Sequence, residues 1–434
     1  MAGPATPQAA GTQIPVLSPW AWELAERLLQ PPVPGEPARG AWRAAEPPGR
    51  FQELQQLVDC LGQPLPDQSK ATRLLEVGQS LLTAPASDTP AGLNLLREAA
   101  DRLRADLVGD TVTYVVNRNI NLTNHCVKHC SFCAFRRDPG EPGSYRLARA
   151  ELQHKAREAQ RRGATELCIQ SGLDPAASLG GSHLAHAEAV LGDLLEAAPG
   201  IHLHAFSPQE LLFIAEADGL PLKQVLQRLR QAGLASVPGT AAEVLSEPLR
   251  RRLCPEKLSA RAWVAVMLEV HTQGLPATCT LMAGHIETAA DVAAHLLTLV
   301  QIQHHAWSQG LPGFSEFVLL PFVGLNAPAP LRRQVGRDQP DLQAMLLLTA
   351  LARLLLGPWI RHHQPSWVKL GLEGAAAALR WGADDLGGTL MEEHITTMAG
   401  ASGGTNQDPQ ALEAAAAGVG RPVRQRTTTY GAVP

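Results

Sequence analysis

From Val108-Gly109-Asp110 onward the chain alternates short apolar segments with longer amphipathic ones, roughly one pair every 30–40 residues. This rhythm narrows the fold more than any other feature. Strand-like segments stand at 118–123, 166–170, 202–206, 236–237, 278–282, 316–320, 366–369 and 385–390. Helical patterns at 148–162, 184–197, 208–232, 241–273, 289–305, 342–355 and 372–381 separate them. Strands joined by helical crossovers run parallel. Eight of them over about 280 residues predict an α/β fold, a (β/α)8 TIM-type barrel spanning residues 109–395. Ahead of it, helical spacing at 51–58, 72–82 and 93–107 predicts a helical cap over 49–108. Residues 1–48 are rich in Pro and Ala and read as mobile, apart from an amphipathic piece at 19–29 carrying Trp20 and Trp22. Residues 396–434 form a C-terminal extension, with Arg421, Arg424 and Arg426 either free on the surface or folded over the barrel mouth.

A barrel of this kind keeps its chemistry in the loops that follow the strands. The unusual stretches fall there: Gln170-Ser-Gly-Leu-Asp-Pro175, His204-Ala-Phe-Ser-Pro208, Val237-Pro-Gly-Thr-Ala-Ala-Glu243 and Met282-Ala-Gly-His-Ile-Glu-Thr288. The most specific follows the first strand, where Cys126, Cys130 and Cys133 are spaced C-x3-C-x2-C. Thiolates are soft ligands that suit zinc or iron–sulfur clusters. Cys60, Cys168, Cys254 and Cys279 are scattered singly and supply no second C-x2-C pair. A structural zinc therefore needs His125 or His129 as its fourth ligand, outside the usual paired spacing. A four-iron cluster on three thiolates instead leaves one iron open to a small molecule.

Seven cysteines, an odd number without paired spacing, argue against a disulfide framework and for a reducing compartment. The N-terminus lacks the charged and apolar regions of a signal peptide. The longest apolar run, 344–356, is interrupted by Arg353 and stops at Gly357-Pro358, too short for a membrane span. A cytoplasmic location without membrane association is expected. A net charge of -4 offers no global basic field for nucleic acid.

The pattern C-x3-C-x-Phe-C resembles the cluster motif of the radical S-adenosylmethionine (SAM) superfamily. That resemblance implies one [4Fe-4S] cluster on Cys126, Cys130 and Cys133, with the methionine part of SAM on the open iron. It also implies Phe132 beside the adenine and Gln170-Ser171-Gly172 at the SAM amino group. Thr113-Tyr-Val-Val-Asn-Arg-Asn-Ile-Asn121, Ser366-Trp-Val-Lys-Leu-Gly371, Asp385-Leu-Gly-Gly-Thr-Leu-Met-Glu-Glu393 and Arg424-Gln-Arg-Thr-Thr428 look like the second half of FO synthase. In that branch a radical generated from SAM fragments L-tyrosine, and the hydroxybenzyl group passes to 5-amino-6-(D-ribitylamino)uracil in deazaflavin biosynthesis. The resemblance implies a reducing electron donor and a companion FO synthase subunit on another chain. This sequence departs from the branch at Ser171, where Gly is usual, and at Asp174, Gly324 and Gly403, where His is usual. A sister enzyme of the futalosine route to menaquinone and a non-catalytic iron–sulfur or zinc-binding partner protein stay open as alternatives.

Other residues carry two readings each. His202 and His204 alternate along a strand and face the barrel interior, as proton carriers or as buried structural groups. His285 and Glu287 follow the fifth strand, although Glu287-Thr288 also reads as a helix cap. Glu392 and Glu393 after the last strand suit an amine or a solvated helix start. Asn117, Asn119 and Asn121 alternate on the first strand and need partners there. Lys128, Arg136 and Arg137 lie where they would moderate cluster charge. His304-His305 and His362-His363 read as helix and loop surface.

Overall fold

The computed structural model describes residues 16–30, 56, 68–83 and 89–433. Apart from residue 56, which is helical, the helix expected at 51–58 lies outside the described residues, as does most of the Pro/Ala-rich N-terminus. Among the described residues, α1 (Pro19–Leu29), α2 (Gln68–Ser80) and α3 (Thr89–Val108) come before the barrel. The first half of the barrel holds β1 (Val112–Val115), β2 (Asn117–Ile120), α4 (Arg149–Arg161), β3 (Glu166–Ile169), α5 (His183–Ala197), β4 (His202–Ala205), α6 (Pro208–Asp218), α7 (Leu222–Gln231) and β5 (Leu234–Ser236). The second half holds α8 (Glu247–Leu253), α9 (Ala260–Thr272), β6 (Ala277–Ala283), α10 (Ala289–Ser308), β7 (Phe314–Pro321), α11 (Ala329–Val335), α12 (Leu342–Leu356), β8 (His362–Pro365), α13 (Trp367–Ala378) and β9 (Asp385–Gly388). The extension adds α14 (Ile395–Met398), α15 (Pro409–Gly418) and β10 (Val423–Gln425).

Every strand pair is parallel. β2 to β5 pair in sequence, as do β6 to β8. A bridge between Val237 and Ala277 joins the two groups. The Asp384 N–H donates to the His363 carbonyl at 3.1 Å, and β9 pairs with β1, so the ring closes. β1 and β2 together make the first barrel strand, with β1 on β9 and β2 on β3. Strands buried on both faces need helices outside them; α12, almost wholly buried, packs there against α3 and α2. The cation in its greasy run is matched: Arg353 donates to the Gly382 and Arg361 carbonyls and to Asp384, at 2.5–2.6 Å. α1 docks on α9, with Ala21 and Ala25 buried and the Arg261 guanidinium 4.1 Å over Trp22. Among the described residues no helix is long and apolar enough to cross a membrane.

Two expectations are corrected. The seventh barrel strand is β8 at 362–365, not 366–369, which begins α13. His362-His363 is therefore part of the barrel wall, and His363 is buried there. The pattern misled because His-His-Gln-Pro has no apolar alternation; its histidines are matched instead by Asp384 and by the Ile360 carbonyl. The C-terminal segment neither floats free nor covers the mouth. β10 pairs with β1 at its N-terminal half, so the tail closes the opposite end of the barrel. There Arg426 lies between Asp385 and Glu316, and Tyr430 stacks on His362 with ring centroids 3.4 Å apart.

Candidate active site

The loop after β2 carries the three cysteines across the C-terminal ends of the strands. Two neighbours hold it. On one side the Val127 N–H donates to the Leu173 carbonyl at 3.0 Å and the Gly172 N–H to Thr123 O at 3.0 Å. The Ser171 hydroxyl accepts the Leu122 N–H at 2.8 Å. Gly172 is required for this approach, because a Cβ there would stand 2.1 Å from the His125 carbonyl oxygen and 3.1 Å from Cys126 Cβ. On the other side Ser131 donates both its N–H (3.2 Å) and its hydroxyl (2.6 Å) to the Leu253 carbonyl, and the His129 N–H donates to Glu256. Asp174 is buried against Arg146, at 3.0 Å, and against His125, at 3.3 Å.

Cys126, Cys130 and Cys133 are free thiols and all open into one cavity of about 330 Å³, within the range of sites for cofactor-sized ligands. Phe132, Gln170, Ser171 and Gly172 line it too, with Asn119, Glu210, Glu243, Lys257, Lys369 and Glu393. Met282, Leu320, Phe322 and Val323 make an apolar part of its wall. No group of three or more His, Cys, Asp or Glu among the described residues is arranged around a single metal ion. A cubane puts each thiolate on a different iron, so its ligands stand further apart than those of one zinc ion. The donor set, three uncommitted thiols on a loop seated against a glycine, fits a cluster better than a zinc knuckle.

The electrostatics are strongly shaped by burial. Burial pushes the Cys130 thiol up to about 12, with the Lys257 ammonium acting in the other direction. Burial also opposes charge on Lys257, but Glu243 outweighs it, and the pair is closed by a short hydrogen bond. That ammonium lies 5.2 Å above the Phe132 ring. Glu210 is pushed up to about 7 by burial, although Ser207 and the Ser171 N–H (2.9 Å) all donate to it. Left-handed backbone collects at this end of the barrel, at Phe206, Ala241, Glu243, Leu390 and Met391. Strain of that kind persists where surrounding structure imposes it, most often at functional sites.

Several residues singled out in the sequence lie elsewhere. His202 and His204 sit below the cavity and share the Ser236 hydroxyl at 2.7 and 2.6 Å; burial brings His204 down to about 4, so it is neutral. His285 and Glu287 pair at 2.9 Å, and Glu287 also accepts the Gly284 and His285 N–H groups. None of these four lines the cavity. Of the asparagines, Asn117 bonds Glu166 at 2.7 Å and Asn121 the Gln170 carbonyl at 2.7 Å, whereas Asn119 faces the cavity. Glu392 is taken by Arg118 and Lys155, leaving Glu393 at the site. The reading from sequence passed over Glu210, Lys257 and Lys369. Glu210 has the spacing of a capping box after Ser207, which it also forms, and Lys369 lies inside a stretch noticed only for its resemblance.

A parallel barrel with three cysteines on its first loop defines a radical SAM protein. Residues 120–299 match the Radical SAM superfamily. Methylornithine synthase shares the fold with a TM-score of 0.62 at 16% identity, over 86% of this chain and 97% of that one. The [FeFe]-hydrogenase maturase of Carboxydothermus hydrogenoformans does so at 0.63 and 14%, over 87% and 81%. Residues 312–434 match the CofH/MqnC C-terminal region. A 5-amino-6-(D-ribitylamino)uracil–L-tyrosine 4-hydroxyphenyl transferase of Cyanothece is 55% identical over 79% of this chain and 90% of its own. Its counterpart in Gloeobacter violaceus is 55% identical over 84% and 92%. This chain belongs to that transferase family.

Proposed function

We propose that this chain fragments L-tyrosine and transfers its 4-hydroxybenzyl group to 5-amino-6-(D-ribitylamino)uracil, the step that precedes deazaflavin ring closure. The observation that carries the reading is one cavity at the strand ends, shared by all three motif cysteines, in a chain 55% identical to transferases of that name. In this reading Cys126, Cys130 and Cys133 hold a [4Fe-4S] cluster, Phe132 packs beside the adenine of SAM, and Gln170, Ser171 and Gly172 meet its amino group. When bound, cluster and SAM supply a carbon-centred radical, the chemistry that side-chain acids and bases lack. The protein's part is positioning and shielding. The Gly172 approach sets the cysteine loop against the 170–174 loop, and Met282, Leu320, Phe322 and Val323 keep water from one side of the cavity. His202, His204, His285 and Glu287 are given structural work, since none reaches the cavity. A reductant must deliver the electron, and the ring-closing companion is expected on another chain.

Anaerobic reconstitution with iron and sulfide, followed by incubation with reductant, SAM, L-tyrosine and the aminouracil, tests the proposal. Mass spectrometry should find an adduct that requires both substrates. Cys126→Ala, Cys130→Ala and Cys133→Ala should each lose the cluster and SAM cleavage. A colourless protein holding one zinc, or a product formed without tyrosine, refutes the reading.

A further inference from the structure

Lys369 is a cavity-lining cation that its surroundings leave without a partner. It follows β8 in the first turn of α13, whose helical path breaks at Gly371 (φ 71°, ψ 164°). That turn is fixed from two sides. The Trp367 indole donates to the Gly388 carbonyl at 2.9 Å, and the Gly403 N–H donates to Val368 O at 3.0 Å. A Cβ at Gly403 would lie 2.2 Å from the Trp367 carbonyl oxygen, so the 400–405 loop presses directly on the turn.

Two of the other three cations of the cavity are committed. Lys257 is closed on Glu243, and Arg136 reaches Asp138 and the Cys126 carbonyl. Lys128, on the cysteine loop itself, makes no side-chain hydrogen bond among the described residues, but its charge acts on Glu216 and Glu256. Lys369 makes no side-chain hydrogen bond or ion pair among the described residues. The nearest carboxylates are otherwise occupied: Glu243 by Lys257, and Glu393 by the Thr396 and Thr397 N–H groups and the Thr397 hydroxyl. Burial lowers the Lys369 ammonium, with Glu393 and Glu243 pulling the other way. A desolvated ammonium is costly until an anion joins it.

We propose that Lys369 binds the α-carboxylate of the amino-acid substrate and so determines specificity for it. This rests on the transferase reading, in which three small molecules meet here. The aminouracil carries no acid group. The carboxylate of SAM is committed to iron in the superfamily that the cysteine motif resembles. L-Tyrosine brings the carboxylate that remains unclaimed, and Lys369, desolvated by burial and unpaired, is the cation placed to take it.

Equilibrium dialysis of the anaerobically reconstituted full chain tests this, with L-tyrosine and with tyramine, which lacks the carboxylate. Lys369→Met should weaken L-tyrosine roughly 10- to 100-fold, the range of a charge-assisted hydrogen bond, and leave tyramine as in the wild type. Lys369→Arg should recover part of the loss. In turnover, KM for L-tyrosine should rise and KM for SAM should not. Equal weakening of both ligands, no weakening of L-tyrosine, or a rise in the KM for SAM instead overturns the assignment. A wild-type protein that itself fails to bind L-tyrosine sinks the transferase reading together with this one. A wild type that binds it no better than Lys369→Met sinks only the role of Lys369.

Discussion

Replacing Arg426 with leucine should cost the barrel about 3–5 kcal/mol, the usual penalty for removing one partner of a buried ion pair. The residue is 1% exposed. Its guanidinium donates twice to Asp385, once to Glu316 at 3.0 Å and once to the Thr427 carbonyl at 3.1 Å, and it lies 4.0 Å from the Tyr430 ring centroid. Leucine fills much of the space but leaves two carboxylates facing each other in a dry barrel floor. At about 2 °C per kcal/mol for a large domain, the thermal midpoint should fall by about 6–10 °C. Circular dichroism of the purified protein reads this directly. The decisive arm adds Asp385→Asn and Glu316→Gln to Arg426→Leu. Removing the stranded charges should return most of the lost stability, because the penalty comes from uncompensated charge and not from lost packing. A single variant that loses under about 1 kcal/mol, or a triple variant no better than the single, refutes the charge argument.

Gly172→Ala should force the 170–174 loop off the cysteine loop, since its Cβ falls 2.1 Å from a backbone oxygen; the KM for SAM should rise about tenfold or more, with little change in thermal midpoint. Unchanged SAM kinetics would show that the two loops need not touch. Glu210 is held near 7, above its ordinary 4.5, so its contribution to stability is complete below about 4.5 and is lost as pH rises through 7. Wild type should therefore lose about 3 kcal/mol across that window relative to Glu210→Gln in urea unfolding, and parallel pH profiles would contradict this. His271 is buried in α9 with neither ring nitrogen partnered among the described residues, and burial lowers it to about 3. Its contribution is present above 6.5 and lost as pH falls, so His271→Leu should gain about 1 kcal/mol at neutral pH and more in acid. A destabilised His271→Leu protein would mean that the imidazole has a partner after all.

The strands whose alternation is carried by apolar residues were legible because a parallel barrel must bury both faces of each strand. β8 was not, because its polar residues are made tolerable by Asp384, a group about twenty residues further on that no local window includes. The tail was illegible for the same reason. A run of arginines looks solvated until Asp385 and Glu316 are brought under it by the closure of the ring. At the mouth, the cysteine spacing declared itself because cluster ligands lie close together in sequence. Lys257, Glu243, Glu210 and Lys369 did not, since each acquires its meaning from a neighbour on another loop.

The departures from the resembling branch follow one logic when placed in space. Where that branch carries His, Gly324 and Gly403 allow two loops to close backbone to backbone. The Gly324 N–H donates to Asp338 O at 2.9 Å and the Gly403 N–H to Val368 O at 3.0 Å. A side chain at either position would begin 2.7 or 2.2 Å from a carbonyl oxygen, so the imidazoles are incompatible with this backbone. Asp174 turns a third such position into a buried anion between Arg146 and His125, tying the 170–174 loop to the cysteine loop by charge. Ser171 adds a hydroxyl that accepts the Leu122 N–H. At Gly324 and Gly403 the rim loops thus meet through backbone, and at Asp174 and Ser171 through side chains. Such tightening fixes the turn that presents Lys369 and the loop that presents the cysteines. A site that must hold a cofactor and two substrates in register gains from fixed walls.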